Sequence, residues 1–164
     1  MDPHWTSVVG MATGIIGLVV AVANHIRVNK MKRIDEWREA SIDLDKGRKA
    51  ANSLLDEMDA AHKSRIAVQS ATGQSRGGNA IRFENSYAED LEEAQSLEKQ
   101  FKEIDPQRFE GMAVETLVRR RIKIASLADQ VEGLRDKYVK SVGKDDKERD
   151  NIRSDIRERM SPRQ

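Results

Sequence analysis

Cysteine is absent and proline occurs only three times in 164 residues. The first absence excludes disulfides and thiolate metal sites outright. The second, with a paucity of β-branched runs, leaves long helices free to form, since proline breaks them. An excess of one charge is missing as well. The formal net charge is +1, from 29 basic and 28 acidic side chains interleaved along the chain. No global field therefore draws the molecule to nucleic acid, and no nucleic-acid partner is expected. Signatures of catalysis are also absent: there is no Walker sequence, dinucleotide fingerprint, zincin motif or nucleophile motif. His4, His25 and His62 are too scattered to share a metal. Glu89 with Asp90, and Glu92 with Glu93, belong to a generally acidic stretch that a solvated helix face accounts for. The sequence thus reads as non-enzymatic, with no cofactor and no metal.

Apolar character is concentrated in one place. Residues 5–26, WTSVVGMATGIIGLVVAVANHI, lie in a window between Asp2 and Arg27 that holds no formal charge. At ~1.5 Å of rise per residue this stretch makes a helix of roughly 33 Å, against a hydrocarbon core of ~30 Å. Trp5 stands where an interfacial aromatic would stand, and Arg27, Lys30, Lys32 and Arg33 follow the span before any acid appears. Basic residues are retained on the cytoplasmic side. The expectation is a single-pass signal-anchor in the cell (inner) membrane, with the N-terminus outside and the C-terminal region in the cytoplasm. The basic quartet would meet anionic headgroups. Ala21-Val22-Ala23 has the form of a cleavage site, but a signal peptide carries its basic residues before the apolar core, and here they come after it. Within the span, Gly10, Gly14, Gly17 and Ala21 recur at helical spacing. Such a stripe lets membrane helices approach closely, so the partner would be a second copy or another membrane subunit.

The remainder is of a different composition. The 138 residues after position 26 hold all 29 Lys and Arg and 27 of the 28 Asp and Glu, about 41% charged, where an ordinary domain has ~25%. So little apolar material suits narrow stripes on long helices rather than a thick core. Val28, Met31, Ile34 and Trp37, then Leu44, Ala51, Leu55, Met58, His62 and Ile66, continue a helix out of the membrane, with a possible kink at Gly47. Residues 70–80 concentrate turn formers and read as a flexible loop. Tyr87, Leu91, Ala94, Leu97, Phe101 and Ile104 mark a second helix. Asp105 and Pro106 end it and begin another, as N-cap and first helical residue. Leu117, Ile124, Leu127, Val131, Leu134 and Tyr138 mark a third helix, with a heptad seam from Ile124.

A short connection makes the second and third helices antiparallel neighbours. Folding them about residue 108 sets Glu89, Glu92 and Glu93 level with Arg120, Arg121 and Lys123, an acidic helix against a basic one. The expected organisation is all-α. It has a tail and transmembrane helix over 1–26, a stalk and first cytoplasmic helix over 27–69, the loop 70–80, an antiparallel hairpin over 81–142, and a charged tail over 143–164 broken off at Gly143. Its function would be that of a membrane-anchored interaction protein: a scaffold, adaptor or accessory subunit whose cytoplasmic helices meet a protein partner. The architecture also resembles that of an inner-membrane spanin, which implies a phage-type lysis or envelope role for a membrane-anchored helical rod. The chain departs from that pattern in lacking cysteines and in carrying its basic flank after the span.

Overall fold

A computed structural model describes the backbone of residues 3–160 and the side chains of residues 17–160. Three helices follow one another: α1, Pro3–Ala71; α2, Gly78–Glu103; and α3, Val114–Met160, with one 3-10 turn, Pro106–Phe109, between α2 and α3. No strand occurs among the described residues. At 69 residues α1 is the longest element, roughly 100 Å at ~1.5 Å per residue.

A shared heptad holds the helices together. On α1 the buried positions are Ala40, Leu44, Gly47, Ala51, Leu54, Met58, Ala61 and Val68, a repeating step of four and three interrupted only at Arg65. On α2 they are Ala80, Asp90, Ala94, Leu97 and Phe101, followed by Ile104 just past its end, and on α3 Leu117, Ile124, Leu127, Val131, Leu134, Tyr138 and Asp145. Steps of three and four keep one face of a helix turned to its neighbours over many turns. Each fully buried leucine or phenylalanine on this seam contributes ~1.5–3 kcal/mol by leaving water. The α1 seam is offset from the stripe expected from sequence. Leu54 and Ala61 are buried where Leu55 and His62 were expected, and Ile66 is 41% exposed.

Cross-helix contacts give directions and register. Asp43 meets Arg121, Glu57 meets Arg135 and Ser64 meets Asp145, so numbers rise together and α3 runs parallel to α1. His62 meets Glu84 while Arg48 meets Phe101 and Ile104, so α2 runs antiparallel to both. The outward, return and outward course expected of the three helices is therefore present.

The register of the hairpin differs from the expected one. Asp90, which lies opposite position 126 when the chain is folded about residue 108, instead meets Lys137 and Tyr138. The connection is not a tight turn. It continues along the rod past the end of α2, so that residues 111–114 lie beside residues 26–33 of α1. The expected pairing of Glu89, Glu92 and Glu93 with Arg120, Arg121 and Lys123 is consequently not formed. Those acids are exposed, and Arg121 pairs with Glu36, Glu39 and Asp43 of α1.

Gly143, expected to break its helix, does not, and neither does Gly47, the weak point of the first helical pattern. α1 passes through Gly47 unbroken, and α3 continues past Gly143 to Met160. At Gly47 the reason is packing: the Phe101 ring lies where a side chain would be, its Cζ 2.7 Å from an ideal Cβ position. Beyond Gly143 the seam carries on to the buried Asp145 and the half-buried Arg149 and Ile152, so tertiary contacts outweigh the ~1 kcal/mol propensity cost. The loop between α1 and α2 is shorter than expected, residues 72–77. Gly73 closes α1 at a φ of +71°. The Gln74 amide reaches back to the Gln69 carbonyl at 2.8 Å and the Gly73 amide to Ser70 at 3.3 Å, a Schellman closure that needs a left-handed residue. Asp105 caps the 3-10 turn as expected, its Oδ1 accepting from the Gln107 amide at 2.9 Å, with Pro106 at the first position.

Candidate functional site

The buried seam of α1 begins at Ala40; before it, residues 26–33 meet only the open groove beside residues 111–114, and Leu18–Val22 project beyond that. Residues 17–35 are exposed without exception. Leu18, Val19, Val20, Val22 and Ile26 expose 68%, 61%, 58%, 53% and 62% of their surface, which leaves a contiguous apolar helix facing solvent on every side. A helix apolar all round is stable only where lipid or protein covers it. Val28, Met31, Ile34 and Trp37 are also exposed. Their steps of three drift around the helix, and the heptad positions upstream of Trp37 fall on the charged Lys30 and Arg33, so no seam forms here.

Of the expected packing stripe, Gly17 and Ala21 lie on this arm. Among the described residues nothing stands within 4 Å of a Cβ built on Gly17. Trp5, Gly10 and Gly14 lie outside the residues whose side chains are described. Among the described residues no helix is long and apolar enough to cross a membrane; of the expected span, positions 17–26 are the part described in full. Arg27, Lys30, Lys32 and Arg33 follow directly, all exposed. None of them takes an acid among the described residues, whereas Arg121 holds three.

At the other end the bundle changes character. The proximal half of the seam is apolar. The distal half contains two buried carboxylates, each tied across helices. Asp90 of α2 accepts from the Tyr138 hydroxyl at 2.7 Å and from the Lys137 ammonium, and Lys137 also donates to Ser86 at 3.0 Å. Burial pushes the Tyr138 phenol far above its ordinary value, and the hydrogen bond to the Asp90 carboxylate raises it further. Asp145 of α3 is fully buried. It accepts from Ser64 at 3.2 Å and sits 2.9 Å from Arg65, close enough for an ion pair but not aligned as a hydrogen bond. Arg149 donates to the same Ser64 hydroxyl at 2.8 Å.

An aromatic stack lies next to these acids. His62 rests on Tyr87 with ring centroids 4.0 Å apart, Tyr87 meets Tyr138 edge-on at 6.2 Å, and Arg65 lies 5.7 Å over Phe83. His62 also reaches Glu84 at 2.9 Å. Tyr87, the first residue of the apolar stripe expected on this helix, is half-buried in the stack. The two acids were missed, although each had a signal. Asp90 lies four before Ala94 and seven before Leu97, and Asp145 lies seven after Tyr138, so both fall on the heptad.

This network can specify register and partner choice among the helices, because a buried acid tolerates only the alignment that supplies its donors. Among the described residues no group of His, Asp and Glu converges as a metal site. No protein-family model, no curated protein and no solved structure matches this chain.

Proposed function

We propose that the chain is a single-pass membrane protein whose helical bundle is held on the cytoplasmic side as an interaction module, a scaffold, adaptor or accessory subunit of a membrane complex. The observation that carries this reading is the bare apolar arm of α1. It belongs to the same unbroken helix as the bundle, and none of the described residues covers it. With residues 5–16 continuing the uncharged run in the sequence, the arm reaches bilayer thickness. The four cations at its bundle end, Arg27, Lys30, Lys32 and Arg33, favour that end in the cytoplasm. The bundle suits contact rather than chemistry, since its polar groups tie helix to helix. Gly17 and Ala21, with Gly10 and Gly14 before them, offer a close-packing face to a second copy or another subunit.

Crosslinking of the full chain at native expression, followed by detergent extraction, tests the proposal. Retention in the membrane after alkaline wash and recovery of a discrete complex or self-association product are expected. Release by the wash, or recovery only as an uncomplexed monomer, would overturn it. A C-terminus facing outward in a reporter fusion would instead favour the envelope-rod reading.

A further inference from the structure

We infer that the crevice between α1 and the α2–α3 connection is a site for one anionic phospholipid of the leaflet facing the bundle, its phosphate held by Lys30 and Arg33. This rests on the reading of α1 as a membrane anchor. The crevice is an open groove of about 630 Å³. One wall is α1, with Ile26, Lys30 and Arg33, and the other is the connection, with Met112 and Val114. No acidic residue lines it.

Depth is the first argument. Ile26 ends the uncharged run, and Lys30 and Arg33 lie ~6 Å and ~10 Å further along the helix axis. The headgroup layer on each side of a bilayer is ~5–8 Å thick, so the crevice spans it. The hairpin's register places the connection there. Had the chain folded about residue 108, residues 111–114 would sit far up the rod, beside the end of α2.

Chemistry is the second. Lys30 and Arg33 have no acid partner among the described residues, although Glu36, Glu39 and Asp43 lie a turn or more further on, where they engage Arg121. A guanidinium and an ammonium on one side of a crevice match the oxygens of a phosphate, the arginine by two parallel bonds and the lysine as a point charge. Met112 and Val114 are half-buried and Ile26 is exposed. Ile26, on the bilayer side of both cations, offers apolar surface to the glycerol and first methylenes beneath that phosphate, while Met112 and Val114 close the opposite side of the groove.

The chain has no cysteine, so single cysteines report unambiguously. The full chain carrying Met112→Cys, Leu18→Cys or Ser70→Cys is labelled with an environment-sensitive fluorophore. It is reconstituted in phosphatidylcholine vesicles containing headgroup-spin-labelled phosphatidylglycerol or phosphatidylcholine at equal fractions, or a lipid spin-labelled deep in the acyl chain. The label at 112 should be quenched by the headgroup probes, more by phosphatidylglycerol than by phosphatidylcholine. That at 18 should be quenched by the deep probe, and that at 70 by neither. The double change Lys30→Gln and Arg33→Gln should erase the preference at 112 and leave quenching at 18 unchanged. An unquenched label at 112 beside a quenched one at 18 overturns the lipid site and spares the anchor. Equal quenching at 112 by both headgroup probes, or a preference that survives the double change, also overturns the site. No quenching at 18 overturns the anchor, and the site with it.

Discussion

Gly47 shows how one residue joins two helices. Its missing side chain leaves room for the Phe101 ring, which is completely buried and has nowhere to retreat. Gly47→Ala should therefore destabilise the bundle by up to about 2 kcal/mol, an overpacking cost of ~1–3 kcal/mol less the ~1 kcal/mol that alanine gains in helix propensity. Gly143→Ala, where nothing lies within 4 Å, should stabilise by about 1 kcal/mol. Urea denaturation of both variants checks the contrast. From sequence alone Gly47 and Gly143 look alike, two lone glycines in helical patterns; only the neighbour across the seam separates them.

Tyr138 gives a second residue-scale test. Its phenol is held protonated in the fold by burial and by Asp90, above the ordinary value of 10.0 that the unfolded chain shows. The folded state then keeps a proton that the unfolded state loses. The resulting stability is complete below pH ~10 and declines above it, by up to ~1.4 kcal/mol per pH unit. Tyr138→Phe should cost about 1 kcal/mol at pH 8 for the lost hydrogen bond. It should also show a shallower fall in stability between pH ~9.5 and ~11 than the parent chain. Parallel slopes would contradict the assignment.

Among the elements, α2 depends most on a side chain from elsewhere. A helix leaves its last carbonyls without partners and its C-terminus partly negative. Arg48 of α1 supplies both remedies at once, donating to the Phe101 carbonyl at 3.1 Å and to the Ile104 carbonyl at 2.6 Å. Arg48→Gln should destabilise by about 1–3 kcal/mol and lower hydrogen-exchange protection in the last turn of α2 more than in its first. Uniform loss along α2 would mean that Arg48 acts only through general packing.

The existence and order of the helices were legible because three- and four-residue spacings and the Asp105 with Pro106 boundary are local signals. Register was not. The length of the connection says that α2 and α3 are antiparallel but not that it runs on beyond α2, and that overrun carried Arg121 away from α2 to the acids of α1. Scoring apolar residues alone also hid Asp90 and Asp145, since a heptad position occupied by an acid reads as a surface position until its donors are seen. Leu91 reads as a seam position where Asp90 holds it, and the apolar seam of α3 reads as ending at Tyr138, seven residues short of Asp145.

As a whole the molecule is a rod with unlike ends: a bare apolar arm and basic flank at one, a polar and aromatic network at the other. The composition already separated these parts, because nearly every charge lies after residue 26. What the fold adds is that α1 belongs to both, so the arm and the bundle are parts of one continuous helix. Protease digestion of right-side-out and inverted membrane vesicles, followed through a tag on the bundle end, tests this most directly. The account predicts that the bundle is sheltered in right-side-out vesicles and cut in inverted ones while an arm fragment stays with the membrane. Cutting of the bundle in right-side-out vesicles, or loss of the intact chain to the supernatant, would contradict it.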